Sequence, residues 1–187
     1  MFAKMKATED LKHEHQAVLL ALDILEGTGR ALLEGKPRAM DHAREIMEFL
    51  TVFVDRCHHG KEEDVLFPAL ERAGVPGDGG PVGVMLAEHD LGRGYIREMT
   101  DALEVLAGGR RETAASFQAA ARSYAELLRQ HIAKENNVLY PMADRLLAPG
   151  SDEKMEREFN RIEGEKVGAG KHEAFHRMLH RLAEVYR

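Results

Sequence analysis

Apolar side chains recur at intervals of three and four residues along most of this chain, the period of a helix with one buried face. Around His15 the stripe reads Leu11, Val18, Leu19 and Leu22, and around His58 it reads Leu50, Val54, Val65 and Leu66. Met85, Leu86 and Ile96 flank His89 in the same way, and Tyr124, Leu127, Leu128, Val138 and Leu139 flank His131. Alternating apolar and polar runs, the mark of strands, are missing, and β-branched residues are scattered. Turn residues divide the helical pattern. Thr8 is placed to cap a first helix, which Gly35 and Pro37 end near residue 34. A second helix runs from Pro37 to about Ala73, ahead of the loop GVPGDGGP at 74–81. A third runs from Val82 to about Ala107, closed by Gly108-Gly109, and a fourth from about Glu112 to Leu147, stopped by Pro149-Gly150. Helices of roughly 25 residues are about 38 Å long, and short connections between them favour antiparallel neighbours. The pattern therefore predicts an all-α protein. It divides into an up-down-up-down four-helix bundle over 1–149 and a helical extension over 150–187, packing on the bundle or on an oligomer interface.

Each of these four histidines lies in an apolar stripe, and the chain writes their context twice. Residues 58–68, HHGKEEDVLFP, and 131–141, HIAKENNVLYP, agree at six of eleven positions at an offset of 73. The dipeptide Glu14-His15 returns as Glu88-His89 at an offset of 74. Unrelated segments of average composition agree at about one position or fewer. Glu62 and Glu135 fall one turn after His58 and His131 on the same inward face. Two buried carboxylates with no basic residue in the stripe are very costly unless a cation neutralises them. Imidazole and carboxylate donors together suit iron, zinc or manganese. The pattern reads as a dinuclear metal site built from His15, His58, Glu62, His89, His131 and Glu135. With two bridging carboxylates each of two irons has four protein ligands. An oxo or hydroxo bridge makes five and leaves room for a small molecule.

Composition narrows the setting. Lys and Arg total 26 against 32 Asp and Glu, a net charge of −6 with no long basic run, which argues against nucleic acid or an anionic membrane as the main partner. One cysteine, Cys57, allows no intrachain disulfide and points to a reducing compartment. The opening MFAKMKATED is too polar for a secretory signal, and no run of 18 apolar residues exists. A soluble, cytoplasmic protein is expected.

The paired segments, the two Glu-His dipeptides and the order of four helices resemble the hemerythrin-like family of HHE cation-binding proteins, over roughly residues 8–147. The resemblance implies a non-heme di-iron bundle that binds or reacts with dioxygen, nitric oxide or peroxide, or senses iron and oxygen. Carried over residue by residue, it implies His15, His58, His89 and His131 as iron ligands with Glu62 and Glu135 bridging. Two positions depart from the oxygen carriers of the family. These place a second histidine four residues after the third-helix ligand, where this chain has Arg93, and use H-x-x-x-x-D in the last helix, where this chain has His131-x-x-x-Glu135. Both departures argue against a simple oxygen carrier. The ligand set is nearer to that of the iron-centre-repair proteins, but their N-terminal cysteine-containing domain has no counterpart in these residues. Arg93 cannot ligate a metal, which leaves one iron short of a donor. Its charge is expected to pair with Glu88 or Glu14, or to lie near a bound anionic oxygen species.

Several other residues invite a role. His59 and Glu63 form a second H-x-x-x-E, but their repeat counterparts are Ile132 and Asn136, so the repeat argues against that shifted register. Cys57 reads as an inert core filler, Tyr95 and Tyr140 as rim residues, and Lys61 and Lys134 as solvated flanks of the repeat. In the tail, His172-Glu173-Ala174-Phe175-His176 fits HExxH, the zinc protease pattern. Only eleven residues follow it and no strand precedes it, so a histidine-rich helix, with His180 continuing the stripe, is the plainer reading. Ser151 is a possible cap, and GEKVGAG at 164–170 reads as flexible. The expected function is binding of, or reaction with, a small diatomic ligand or peroxide, in sensing or stress defence. A di-iron oxidoreductase or repair-like enzyme is the alternative and a zinc protease a remote one; a homodimer and a redox partner stay open.

Overall fold

The computed structural model describes residues 5–148, 150–168 and 170–186. Six helices account for almost all of them, and no strand occurs among the described residues. The four long helices are α1 (Lys6–Leu33), α2 (39–72), α3 (Pro81–Ala107) and α4 (113–146). Two shorter helices come after them, α5 (Ser151–Lys166) and α6 (Lys171–Tyr186). The all-α bundle expected from the periodicity is present.

Helices α2 and α4 are not uniform. In both, a widened π turn directly precedes a proline: Glu62–Leu66 lies before Pro68, and Glu135–Leu139 before Pro141. Proline inside a helix lacks a donor and crowds the carbonyl four residues back, and an extra residue in the turn relieves both problems. The extra residue also rotates the side chains beyond it about the helix axis. Val138, expected inward, is 51% exposed, whereas Leu139 beside it is 2% exposed. Leu19 and Leu86, at the edges of their stripes, likewise reach solvent. A longer π segment, Leu50–His59, has no counterpart in the second repeat, where the helix stays regular through Lys134.

Thr8 is not the cap that the sequence suggests. Met5 takes that position, and Thr8 sits fully buried in the first turn, donating to the Met5 carbonyl at 2.9 Å and to Asp144 Oδ1 at 2.7 Å. The free N–H groups at the start of α1 are met from elsewhere. Asp144 accepts from Met5 N at 3.1 Å, and Asp152 accepts from Lys6 N and Ala7 N at 2.8 and 2.9 Å. Two carboxylates at a helix N-terminus also suit its partial positive charge. Ser151 is the first residue of α5, preceded by Gly150 in the left-handed region (φ 89°), and makes no side-chain cap. α5 runs on through Gly164 to Lys166, inside the stretch expected to be flexible.

The apolar core falls into two clusters. One surrounds Leu22, Phe49 and Phe117, the other Leu11, Phe67, Leu70 and Tyr140. The four histidines and two glutamates lie in the layer between them. Helices α5 and α6 cover α1 and α2, burying Met155, Phe159, Ile162, Phe175, Leu179 and Leu182. The approach is close enough to need a glycine: a Cβ on Gly27 would stand 2.7 Å from Cβ of Tyr186. Tyr186 Oη in turn lies 2.7 Å from His42 Nδ1. Leu182 is 0% exposed, so Leu182→Ala is expected to cost about 3 kcal/mol of stability. Urea unfolding measures it, and an unchanged midpoint would show that α6 does not share the bundle's core.

Candidate metal centre

Four helices each deliver one imidazole to the buried layer. His15 and His58 face each other through Nε2 at 3.0 Å, and so do His89 and His131. Both pairs have ring centroids 4.7 Å apart, so the two-fold pattern of the sequence is a two-fold pattern in space. Each Nδ1 is engaged on the outside of the layer. His58 contacts Glu14 at 2.7 Å, His89 contacts Glu63 at 2.6 Å, His131 contacts Glu88 at 2.9 Å and His15 contacts Asn136 Oδ1 at 2.9 Å. An acceptor at Nδ1 places the ring proton there and leaves Nε2 as a bare lone pair. Two such lone pairs facing at 3.0 Å repel one another unless something positive lies between them. Two nitrogens bound to one metal at about 2.1 Å and about a right angle to each other stand about 3.0 Å apart.

The carboxylates complete the donor set. Glu135 reaches both pairs, with Oε2 3.1 Å from His15 Nε2 and Oε1 3.0 Å from His131 Nε2. Glu62 Oε2 lies 3.5 Å from His89 Nε2 and 3.8 Å from His58 Nε2. Both side chains are 0% exposed, and Glu62 Oε2 and both Glu135 oxygens have no hydrogen-bond partner. Burial, and then the charge of Glu135, pushes Glu62 well above the carboxylate range. Burial acts on Glu135 too, but the close approach of His131, and then of His15, outweighs it and holds Glu135 well below. Burial lowers His58 and His89 towards the neutral, ligating form, whereas at His131 the charge of Glu135 outweighs burial and raises it. Without a cation these groups must share protons among them. Orphaned carboxylate oxygens converging on imidazole nitrogens suit an iron, zinc or manganese ion.

An outer ring holds the donors in place, and it too is repeated. Lys61 joins Glu14 at 2.6 Å and Glu163 of α5 at 3.0 Å. Its repeat partner Lys134 joins Glu88. Lys61 is 3% exposed and therefore no solvated flank, correcting that expectation. The hydrogen bond with His58, with the charge and hydrogen bond of Lys61, outweighs burial at Glu14 and holds its carboxyl at about 2. Arg93 pairs with neither Glu88 nor Glu14. It binds Asp55 at 2.8 Å, Glu63 at 2.7 Å and Asp90 at 3.0 Å, so its charge anchors the carboxylate behind His89.

The six sequence-predicted residues all reach the layer, in two groups of potential donors: His15, His58 and Glu135 in one, Glu62, His89 and His131 in the other. A seventh residue, His59, stands in the second group. Tyr140 is no rim residue. It is 0% exposed, donates to Glu62 Oε1 at 2.7 Å and lies 3.3 Å from His15 Nε2. Its π turn swings it inward, a signal that helical periodicity does not carry. Cys57 is fully buried and its thiol is pushed up to about 12 by burial, consistent with an inert filler. In the tail, His172 and His176 stand 4.8 Å apart, but His172 rests on Phe53 and Glu173 turns outward with its side chain 81% exposed. Among the described residues no third donor joins them.

A helical bundle with four inward imidazoles and two buried carboxylates in its middle defines a metal-binding bundle. The hemerythrin HHE cation-binding domain matches residues 6–143, and the chain belongs to that family. Domains of this kind bind metal, typically iron. No curated protein matches the chain. No described helix is long and apolar enough to cross a membrane.

Proposed function

We propose that the chain holds two iron ions, one against each histidine pair, and that it binds or reduces a small oxidant or diatomic ligand, in sensing or stress defence. The observation that supports this best is the set of three orphaned carboxylate oxygens facing two pairs of imidazole lone pairs. Glu135, reaching both pairs, and Glu62, set between His58 and His89, serve as bridges. Reduced iron supplies electrons and an open coordination position for dioxygen, nitric oxide or peroxide. The protein's part is positional. Glu14, Glu63, Glu88 and Asn136 fix the rings so that little reorganisation is needed when a ligand arrives. The apolar clusters on either side of the layer keep bulk water out. Tyr140 holds a proton against Glu62 Oε1, within reach of the centre. Arg93 places a permanent positive charge one residue group away from His89, behind Glu63.

The test is anaerobic loading with ferrous iron, followed by optical spectra on adding dioxygen, nitric oxide and peroxide in turn. At least one of the three is expected to produce a new absorption band from the loaded protein. Silence to all three, with iron bound, would identify a purely structural metal bundle.

A further inference from the structure

We propose that His59 is a seventh protein ligand, the third imidazole on the ion held by His89 and His131, so that the two ions occupy unequal sites. This rests on the two-ion reading above. One ring nitrogen of His59 lies within 4.8 Å of donor atoms on Glu62, His89 and His131, the span of a single coordination sphere. Its ring stacks on His89 at a centroid distance of 3.8 Å and 14°, and stands edge-on to His131 at 5.9 Å. The side chain is 3% exposed. Its Nδ1 has no hydrogen-bond partner, the nearest carboxylate, Asp55, being 3.7 Å away.

The backbone supplies a second, independent reason. In a regular helix adjacent side chains point about 100° apart, and a widened turn brings their directions closer together. Through the π segment Leu50–His59, Cys57, His58 and His59 are all buried. The other two π turns each precede a proline; this one ends nine residues before Pro68, so no proline explains it. Widened turns of this kind concentrate at functional sites because they turn a chosen side chain inward. The same position in the second repeat is Ile132, a buried hydrocarbon that offers no donor to the ion at His15 and His58. One turn after His89 stands Arg93, bound to Asp55, Glu63 and Asp90, so α3 brings no further imidazole there. Counting both bridges, one ion has five protein donors and the other has four.

Cobalt(II), a spectroscopic substitute for ferrous iron, tests this anaerobically in the full chain. Wild type is expected to take two ions in distinguishable steps. His59→Phe keeps the volume and the stack on His89 but removes the donor. It should weaken one step by about 100-fold or more, beyond the usual loss for an outer-ring partner, and leave the other step unchanged. His58→Ala should weaken the opposite step. Proton NMR of the cobalt-loaded wild type provides a check free of folding effects. Five strongly shifted, exchangeable imidazole N–H signals support the inference, and four overturn it. Unchanged steps in His59→Phe also overturn it, while wild type binding fewer than two ions would instead overturn the two-ion reading.

Discussion

Replacing Glu62 and Glu135 together by glutamine should leave a folded protein whose stability no longer responds to iron. In the wild type, ferrous iron at about a thousand times its dissociation constant should add roughly 4 kcal/mol. For a chain of this size that raises the melting temperature by about 8–16 °C. Chelation should remove the same amount. The double variant keeps side-chain shape but loses both anionic bridges, so it should show no rise. Without metal the order is expected to be level or reversed. The wild type then holds two fully buried carboxylates with three orphaned oxygens between them, whereas two amides bring no charge into the interior. Replacing buried ionic groups by neutral ones of similar volume is often neutral or stabilising. Thermal melts of both proteins in chelator and in ferrous iron decide the matter. A variant that still gains the full rise would show that the carboxylates are not what holds the ions.

Glu14→Ala should damage the protein twice. Glu14 is paired to His58 and Lys61, and both partners are nearly inaccessible, with side chains 2% and 4% exposed. Removing it leaves Lys61 with Glu163 alone and frees the His58 ring to turn. A depression of the Glu14 carboxyl from 4.5 to about 2 corresponds to roughly 3 kcal/mol at neutral pH, the scale expected for breaking a buried ion pair. Because the folded value is the depressed one, this contribution is present above about pH 4.5 and fades as the pH falls towards 2. Wild type and variant should therefore converge in stability over that interval. Metal affinity on the His15–His58 side should fall by about 10–100-fold. Urea midpoints across pH test the first effect and iron titration the second; a constant gap down to pH 2 would refute the assignment.

The repeat made the four helices and the inward histidines legible, because a doubled H-x-x-x-E on an apolar stripe has few other uses. The outer ring was present in the same letters. Glu14 and Glu88 stand beside histidines, and Glu63 and Asn136 are repeat partners, but each grips a ring on another helix. Partners that far apart in sequence meet only through the register between helices, which no local pattern states. The burial of Tyr140, and of His59 beside His58, escaped the pattern for a different reason. Helical periodicity assumes a constant 100° per residue, about 3.6 residues per turn, and the π segments break that assumption up to His59 and just before Tyr140. The caps of α1 by Asp144 and Asp152 were invisible because they come from the far end of the chain.

The two-fold layout also bears on ancestry. His15 and His58 come from the first helical pair, but Glu135 and Asn136, which reach His15, come from the second. Glu63 of the first pair likewise holds His89 of the second. A lone hairpin bearing Glu-His and H-x-x-x-E would thus be half a centre, and two identical hairpins docked face to face would make a whole one. Joining such copies in one gene releases each from having to match the other. An insertion in one half, such as the widened turn that brings in His59, then alters one side of the layer while the other keeps its isoleucine at the equivalent place. A homodimer of hairpins could never differentiate its sides this way; a fused tandem can.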